Sequence, residues 1–136
     1  MTMLQAFGNW LEEAEVGTLG VDLFLGERPA SPAVLVAVTQ VGGEDADVYL
    51  PVLHPIFRCV VRAATSEEAL ESAEALRDRL HQRENFALAP GWWCYLALVL
   101  RPAQLCGRST PEGELPAVLA EVEVRMSVRS DQSVLG

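Results

Sequence analysis

The chain has 136 residues and a mass of 14.8 kDa, half of its residues are hydrophobic, and its formal net charge is −9 with a pI near 4.6. This length and composition exclude a disordered chain and predict one compact domain, residues 1–130, followed by a flexible C-terminal tail, residues 131–136. The acidic balance argues against a nonspecific nucleic-acid binder, which needs a basic patch to neutralise phosphates. The ten basic residues are all arginines, so a P-loop lysine and a catalytic lysine are excluded together.

The sequence predicts no insertion into a membrane. Its longest purely apolar run, residues 92–100, has nine residues, whereas a membrane-spanning helix needs roughly 20. The N-terminus lacks the basic start and the cleavage site of a signal peptide. We therefore expect a soluble protein, made and kept in a cytoplasm, with no membrane partner.

Two segments have the apolar period of amphipathic helices. In the first, Thr2 is placed to cap a helix that Gly17 would end. Its apolar positions are Met3, Leu4, Ala6, Phe7, Trp10, Leu11 and Ala14. The second helix is predicted from Ser66 to about residue 84, with acids and arginines on the solvent side. Its core stripe is Ala69, Leu70, Ala73, Leu76 and Leu80.

Five further segments are typical of strands, being rich in β-branched residues or alternating in polarity. They are residues 21–25, 33–41, 56–63, 92–105 and 118–128. In the last of them four apolar side chains face one way and Glu121, Glu123, Arg125 and Ser127 face the other. The order α-β-β-β-α-β-β predicts a single α+β domain, with a mostly antiparallel sheet of about five strands and two helices packed on it.

Gly42 and Gly43 precede three carboxylates, Glu44, Asp45 and Asp47. Such a stretch could be a phosphate cradle, a metal-binding loop or a bend between two strands. A phosphate cradle needs a helix after the glycines, but no helical pattern follows and the acids would repel phosphate. A calcium loop needs a late glutamate, and no acid follows Asp47 before the second helix. The stretch favours a solvated bend between two strands, with a weak cation contact left as an alternative.

The two histidines and three cysteines are spread over different predicted elements. Cys59 and Cys94 lie in apolar strands, where a free thiol behaves as a small hydrophobe. The spacing of these residues predicts no catalytic, metal or cofactor site. A pocket that gathers His54, Cys94 or Cys106 with carboxylates stays open, and it would make the protein a small ligand- or metal-binding enzyme.

Trp92 and Trp93 are neighbours on a predicted strand, so they point to opposite faces of the sheet. We expect one of them in the core and the other at an interface or in a second core layer. Stacking on nucleic-acid bases is disfavoured because the local acids outweigh the nearest basic residue, Arg101. A further alternative is a generic adaptor that binds its partner through an exposed sheet edge.

Four stretches in a fixed order carry a resemblance to a known family. They are Gly42-Gly43 at a strand end, a proline-flanked strand at residues 55–62, an Ala/Leu helix at residues 69–80 and the turn at residues 105–108 before the closing strand. In this order and spacing, over roughly residues 35–130, the chain resembles the tail terminator and minor tail proteins of long-tailed, siphovirus-type bacteriophages. It departs from their pattern at Cys106 and at the acidic tip from Glu44 to Asp47, which affects loop contacts rather than the fold.

The resemblance implies a structural protein with no catalytic centre and no cofactor. Such proteins form a homo-oligomeric ring, typically of six copies, that caps the tail tube, stops its polymerisation and joins the tail to the head. The implied partners are further copies of the chain, the tail tube protein and the head-completion (connector) protein, while genomic DNA passes through without specific binding. The implied location is the head-proximal end of the virion tail, after assembly in the host cytoplasm, and the isolated chain is either monomeric or ring-forming.

The interface candidates are loop and strand residues that the predicted core does not use. They are Gly42, Gly43, Glu44, Asp45, Asp47, His54, Trp92, Trp93, Arg108, Glu121, Glu123 and Arg125.

Overall fold

A computed structural model describes residues 1–29, 32, 34–44, 52–109 and 117–130, with only the backbone of Glu44 and Ser109. Two helices and seven strands lie within these residues. In chain order they are α1 (Met3–Glu13), β1 (Leu23–Leu25), β2 (Leu35–Glu44), β3 (His54–Ala63), α2 (Ser66–Leu80), β4 (Arg83–Ala89), β5 (Trp92–Val99), β6 (Gln104–Ser109) and β7 (Ala117–Ser130).

The strands form one sheet in the order β1-β2-β3-β7-β5-β4, and β6 also pairs with β7. Strand β7 has 14 residues and is long enough to take three partners. Strand β3 follows one of its edges, whereas β6 and β5 occupy successive stretches of the other edge. Among the described strands, β1–β2 is the parallel pair and the other pairs are antiparallel.

The predicted α+β class, the two helices and the dominant antiparallel pairing are confirmed, but the sheet has seven strands rather than about five. Strand β4 begins with polar residues, so the sequence assigned its start to the preceding helix. That helix ends instead at Leu80, and the extended backbone of its C-cap His81 (φ −66°, ψ 125°) turns the chain into β4. Strand β6 was read as the end of a longer strand, which Pro102 interrupts because proline donates no ladder hydrogen bond.

Both helices begin at threonine caps. Thr2 and Gln5 form a capping box, in which the backbone N–H of Gln5 donates to Thr2 Oγ1 at 3.1 Å and that of Thr2 donates to Gln5 Oε1 at 2.8 Å. The cap of α2 is Thr65, one residue before the predicted start. Helix α1 ends at Glu13, with Ala14 as its C-cap, rather than at Gly17. Arg79 of α2 donates a hydrogen bond to the Ala14 carbonyl.

The core lies between the helices and one face of the sheet. Of the predicted α2 stripe, Leu70 is half-buried and the other four residues are at most 3% exposed. Phe7 of α1 packs against Phe57 of β3 with ring centroids 4.9 Å apart. The alternation predicted for β7 is confirmed, because its four apolar side chains from Val122 to Val128 are at most 1% exposed. Burial of each such side chain stabilises the fold by about 1.5–3 kcal/mol.

The opposite face of the sheet, here called the outer face, is contacted by part of the chain between β1 and β2. Strands β1 and β2 are parallel, so the chain between them must cross a face of the sheet. On the outer face Arg62 is the register partner of both Leu35 and Leu119, and all three are at most 5% exposed. Arg62 donates a hydrogen bond to the carbonyl of Pro32 in this connection. Pro32 therefore lies beside Arg62 at the end of the outer face where β2 begins.

Candidate interaction surface

The outer face carries an ion cluster built across β3 and β7. Arg58 Nη2 donates to Glu123 Oε1 at 3.0 Å, and Arg58 Nε lies 3.4 Å from Glu121 Oε2. Arg101, which follows β5, donates to Glu123 Oε2 at 3.0 Å. Gln104 of β6 donates to Glu121 Oε1 at 2.9 Å. One glutamate thus binds two arginines from distant parts of the chain.

The ionisation of the cluster follows from these contacts. The hydrogen bonds from Arg58 and then from Arg101 lower the pKa of the Glu123 carboxyl below its usual 4.5. The hydrogen bond to Glu123 in turn raises the pKa of Arg58. Glu121, Glu123 and Arg125 lie on the face away from the core, as their alternation predicts. Glu123 itself is only 8% exposed, because the two guanidinium groups enclose its carboxylate.

The Gly42-Gly43 stretch is part of a hairpin, and the prediction that the strand ends before it is wrong. Strand β2 continues through a register shift between Gln40 and Gly42 to Glu44, which is the register partner of His54. Gly43 has φ +128°, and a Cβ there would lie 2.7 Å from the Cα of Pro55 and would also clash with the His54 carbonyl. The two arms therefore approach more closely than any other residue would allow. The candidates Asp45 and Asp47 lie outside the described residues.

Aromatic residues continue the outer face at the β5 end. Trp93 is 39% exposed and Tyr95 is 36% exposed, whereas Trp92 is half-buried and packs against the core. The prediction that the two tryptophans point to opposite sides is confirmed. Arg129 of β7 is the register partner of Trp93, and its Nε is enclosed with no acceptor among the described residues.

The structure brings some of the sequence candidates together and leaves others apart. His54, Trp93, Glu123 and Arg125 share the outer face, with His54 Nδ1 lying 3.2 Å from Ser127 Oγ. Arg108 is exposed on β6, at the other end of β7.

Sequence reasoning missed several contributors to this surface. They are Arg58, Arg101, Tyr95 and Arg129. Arg58 interrupts an apolar strand, which signals an outward position. Its partner could not be read from the sequence because the β3–β7 pairing joins distant segments.

The histidines and cysteines do not share one pocket. Cys94 faces the core and His54 the outer face, while Cys106 is exposed on β6. Burial raises the pKa of Cys59 to about 12 and that of Cys94 to about 11, so both are thiols at neutral pH. His81 Nδ1 accepts the backbone N–H of Val99 at 3.2 Å.

The described part of the chain contains no group of three or more His, Cys, Asp or Glu side chains arranged to hold a metal ion. A cavity of about 250 Å³ between α2 and the start of β2 has neither histidine nor cysteine among its lining residues. Neither α1 nor α2 has the length and the apolar character of a membrane-spanning helix.

The chain matches a family model described as bacteriophage tail terminator protein. The match spans residues 10–89, which is more than half of the chain. The chain belongs to the bacteriophage tail terminator family. This confirms the family indicated by the sequence resemblance, and it makes the protein a structural component of a phage tail. No curated protein matches this tail terminator.

The matched part of the tail terminator runs from Trp10 in α1 to Ala89 at the end of β4. It includes the β2–β3 hairpin and all of α2. It stops before β5, β6 and β7, so Trp93, Tyr95 and the two glutamates of the ion cluster lie outside it. The family match therefore gives no information about these residues, and a role for them can be argued only from their positions and contacts in the structure.

Proposed function

We propose that this tail terminator forms a closed ring, of six copies, that caps the tail tube, stops tube polymerisation and provides the surface for joining the head. The observation that carries the proposal is the family match over residues 10–89. The partners are further copies of the chain, the tail tube protein and the head-completion protein. The ring is located at the head-proximal end of the virion tail, after assembly in the host cytoplasm.

Termination needs a ring whose two sides differ in chemistry. One side reproduces the docking surface of a tube subunit and binds the last ring of the tube. The other side lacks that surface, so no further tube subunit can add. Contacts between two different surfaces of neighbouring copies close into a ring only when the rotation per copy divides a full turn.

The β2–β3 hairpin supports this role as a contact element. Its arms are held together up to the Glu44–His54 pair. The close approach at Gly43 ties the direction of the hairpin to the sheet. A stiff hairpin keeps a contact residue in place without an ordering cost on binding.

The deciding experiment removes the gene product from its phage and images the tails by electron microscopy. Loss of the terminator should produce overlong tails without heads, and a plasmid copy should restore tails of normal length. Tails that keep their normal length and still attach to heads without the terminator would contradict the proposal. A plasmid that encodes Gly42→Ala, whose new Cβ has open space, is the matched control for one that encodes Gly43→Ala, whose new Cβ clashes with the opposite arm of the hairpin.

Passage of DNA through the ring requires that the bore does not retain it. A net charge of −9 per copy repels phosphate and suits such a lining. We expect no measurable binding of duplex DNA near physiological salt, measured by fluorescence anisotropy with a labelled oligonucleotide. Submicromolar binding under these conditions would count against a DNA-conducting ring.

A further inference from the structure

Helix α2 carries a continuous line of carboxylates, here called the acidic stripe: Glu67, Glu71, Glu74 and Asp78. Their spacing of four, three and four residues places them on one side of the helix, and all four are exposed. Among the described residues, Asp78 is the one member of the stripe with an ion-pair partner, and its Oδ1 lies 3.4 Å from Arg77 Nη1. Like charges at this spacing repel each other by a few tenths of a kcal/mol per pair, about 0.2–0.5. A cationic partner would remove that cost.

The outer face carries a patch of the opposite character, here called the outer patch. Its residues Trp93, Tyr95 and Arg125 are exposed, and Leu98 and Arg129 are half-buried. Register pairing places Trp93 beside Arg129 and Leu98 beside Arg125. Neither arginine has an ion-pair partner among the described residues. Glu123, two residues before Arg125 on β7, is already bonded to Arg58 and Arg101, and Glu84 of β4 is the register partner of Leu96. The patch is thus net positive on a chain of charge −9.

The two surfaces match in composition and in spacing. Aromatic residues and arginines are the side chains that contribute most to protein interfaces. Arg125 and Arg129 are four strand residues apart, about 13–14 Å. Carboxylates at i and i+7 on a helix are about 10.5 Å apart, and those at i and i+11 about 16.5 Å. The arginine spacing lies between these values, so both guanidinium groups can each reach a carboxylate of one stripe.

The two surfaces lie on opposite sides of the sheet, because α2 packs on the inner face and the outer patch lies on the other. One copy cannot therefore bring them together. A contact between them joins two copies head to tail, and each copy keeps one surface of each kind free for the next copy.

We propose that the outer patch of one copy docks on the acidic stripe of α2 in a second copy, and that this contact repeats around the ring. The inference rests on the proposed ring function and names its subunit interface. Arg125 and Arg129 supply the charge complementarity, while Trp93 and Tyr95 supply the apolar area that the contact buries.

The test uses the purified full-length chain and native mass spectrometry with sedimentation at low salt. Arg125→Glu with Arg129→Glu should weaken self-association at least tenfold, and so should Glu71→Arg with Glu74→Arg. Mixing the two double variants should restore assembly, because every patch then meets a stripe of opposite charge in an alternating ring. A wild-type chain that stays monomeric at millimolar concentration, or a mixture that does not assemble, overturns the inference.

The matched control is Glu13→Arg with Glu27→Arg, which makes the same charge change at two exposed residues outside α2 and the outer patch. It should leave self-association within about twofold of wild type, and an equal loss there would show a general charge effect and overturn the inference. Deletion of residues 131–136 tests whether the C-terminal tail supplies the contact instead. The dissociation constant for self-association should stay within about twofold of wild type, whereas a tenfold loss of association would overturn the proposal.

These outcomes are separable from those of the tail-imaging experiment. If the charge variants fail to assemble as described but the gene is needed for tail length, the interface is wrong and the function stands. If assembly follows the charges but tails are normal without the protein, the function is wrong and the contact stands.

Discussion

Arg58 on β3 and Glu123 on β7 are register partners, and the Arg58 guanidinium donates to the Glu123 carboxylate at 3.0 Å. Arg101 donates to the second oxygen of the same carboxylate, also at 3.0 Å. Two distant parts of the chain thus meet on one nearly buried glutamate. Hydrogen bonds to charged groups of this kind contribute about 1.5–3 kcal/mol each before solvent screening.

We expect Glu123→Gln to lower the free energy of unfolding by about 1–3 kcal/mol at pH 7, measured by urea denaturation. The amide keeps the shape of the side chain but removes the charge that two arginines share. Glu84→Gln is the control, since Glu84 is exposed and has no ion pair among the described residues; its effect should stay within about 0.5 kcal/mol. Equal effects of the two substitutions would contradict the role of the cluster.

The same pair predicts a pH dependence. The pKa of Glu123 is lower in the folded chain than its ordinary value of 4.5, so the unfolded chain takes up the proton first as the pH falls. The contribution to stability is complete above pH 4.5 and is lost as the pH drops through the lower, folded-state pKa. The difference in unfolding free energy between wild type and Glu123→Gln should therefore shrink in strongly acidic buffer. A difference that stays constant on acidification would show that the charge is not involved.

The hairpin glycines should respond very differently to alanine. At Gly43 a Cβ would lie 2.7 Å from Pro55 Cα, and the backbone has φ +128°, whereas at Gly42 no atom lies within 4 Å. We expect Gly43→Ala to destabilise the fold by at least about 2 kcal/mol, since strained backbone alone costs about 1–3. Gly42→Ala should be nearly neutral. Thermal unfolding of both variants measures the difference, and similar melting temperatures would show that the arms are free to separate.

Arg83 connects the start of β4 to α1 through aromatic rings. Its guanidinium carbon lies 5.2 Å from the ring centroid of Trp10 and 5.0 Å from that of Phe86. Arg83→Gln should cost about 0.5–1 kcal/mol of stability, and Arg83→Lys should retain most of it, because the attraction depends on the cation. Arg77→Gln removes an equal charge whose partner is the exposed Asp78, so it should cost less. A glutamine variant as stable as wild type would exclude the cation–π contribution.

The three cysteines should divide sharply in reactivity. Cys59 and Cys94 are buried thiols, and Cys106 is exposed on β6. Partial burial and then the nearby Glu121 carboxylate raise the pKa of Cys106 as well, so we expect it to react with Ellman's reagent faster as the pH rises. The native chain should show one reactive thiol, absent in Cys106→Ser, and all three after denaturation. Rapid reaction of a second native thiol would contradict the burial of the other two.

The sequence by itself determined the two helices and the inner face of β7. Their apolar residues repeat at 3.6 and at 2 residues, so each pattern selects one secondary structure and one buried side. The threonine cap of α1 could also be read from the sequence, because the partners of a capping box are three residues apart. The family was indicated by the order of such local patterns.

Only the tertiary structure decided which strands pair and what the outer face contains. The sequence did not show β4 and did not separate β6 from β5, because a polar or proline-interrupted edge strand has little apolar pattern of its own. Arg58 and Glu123 are 65 positions apart, so only the β3–β7 register reveals that one neutralises the other. Side chains on the inner face are selected by burial, which leaves a periodic signal in the sequence. Side chains on the outer face are selected by the particular partner across the sheet, and that partner is set by the fold as a whole.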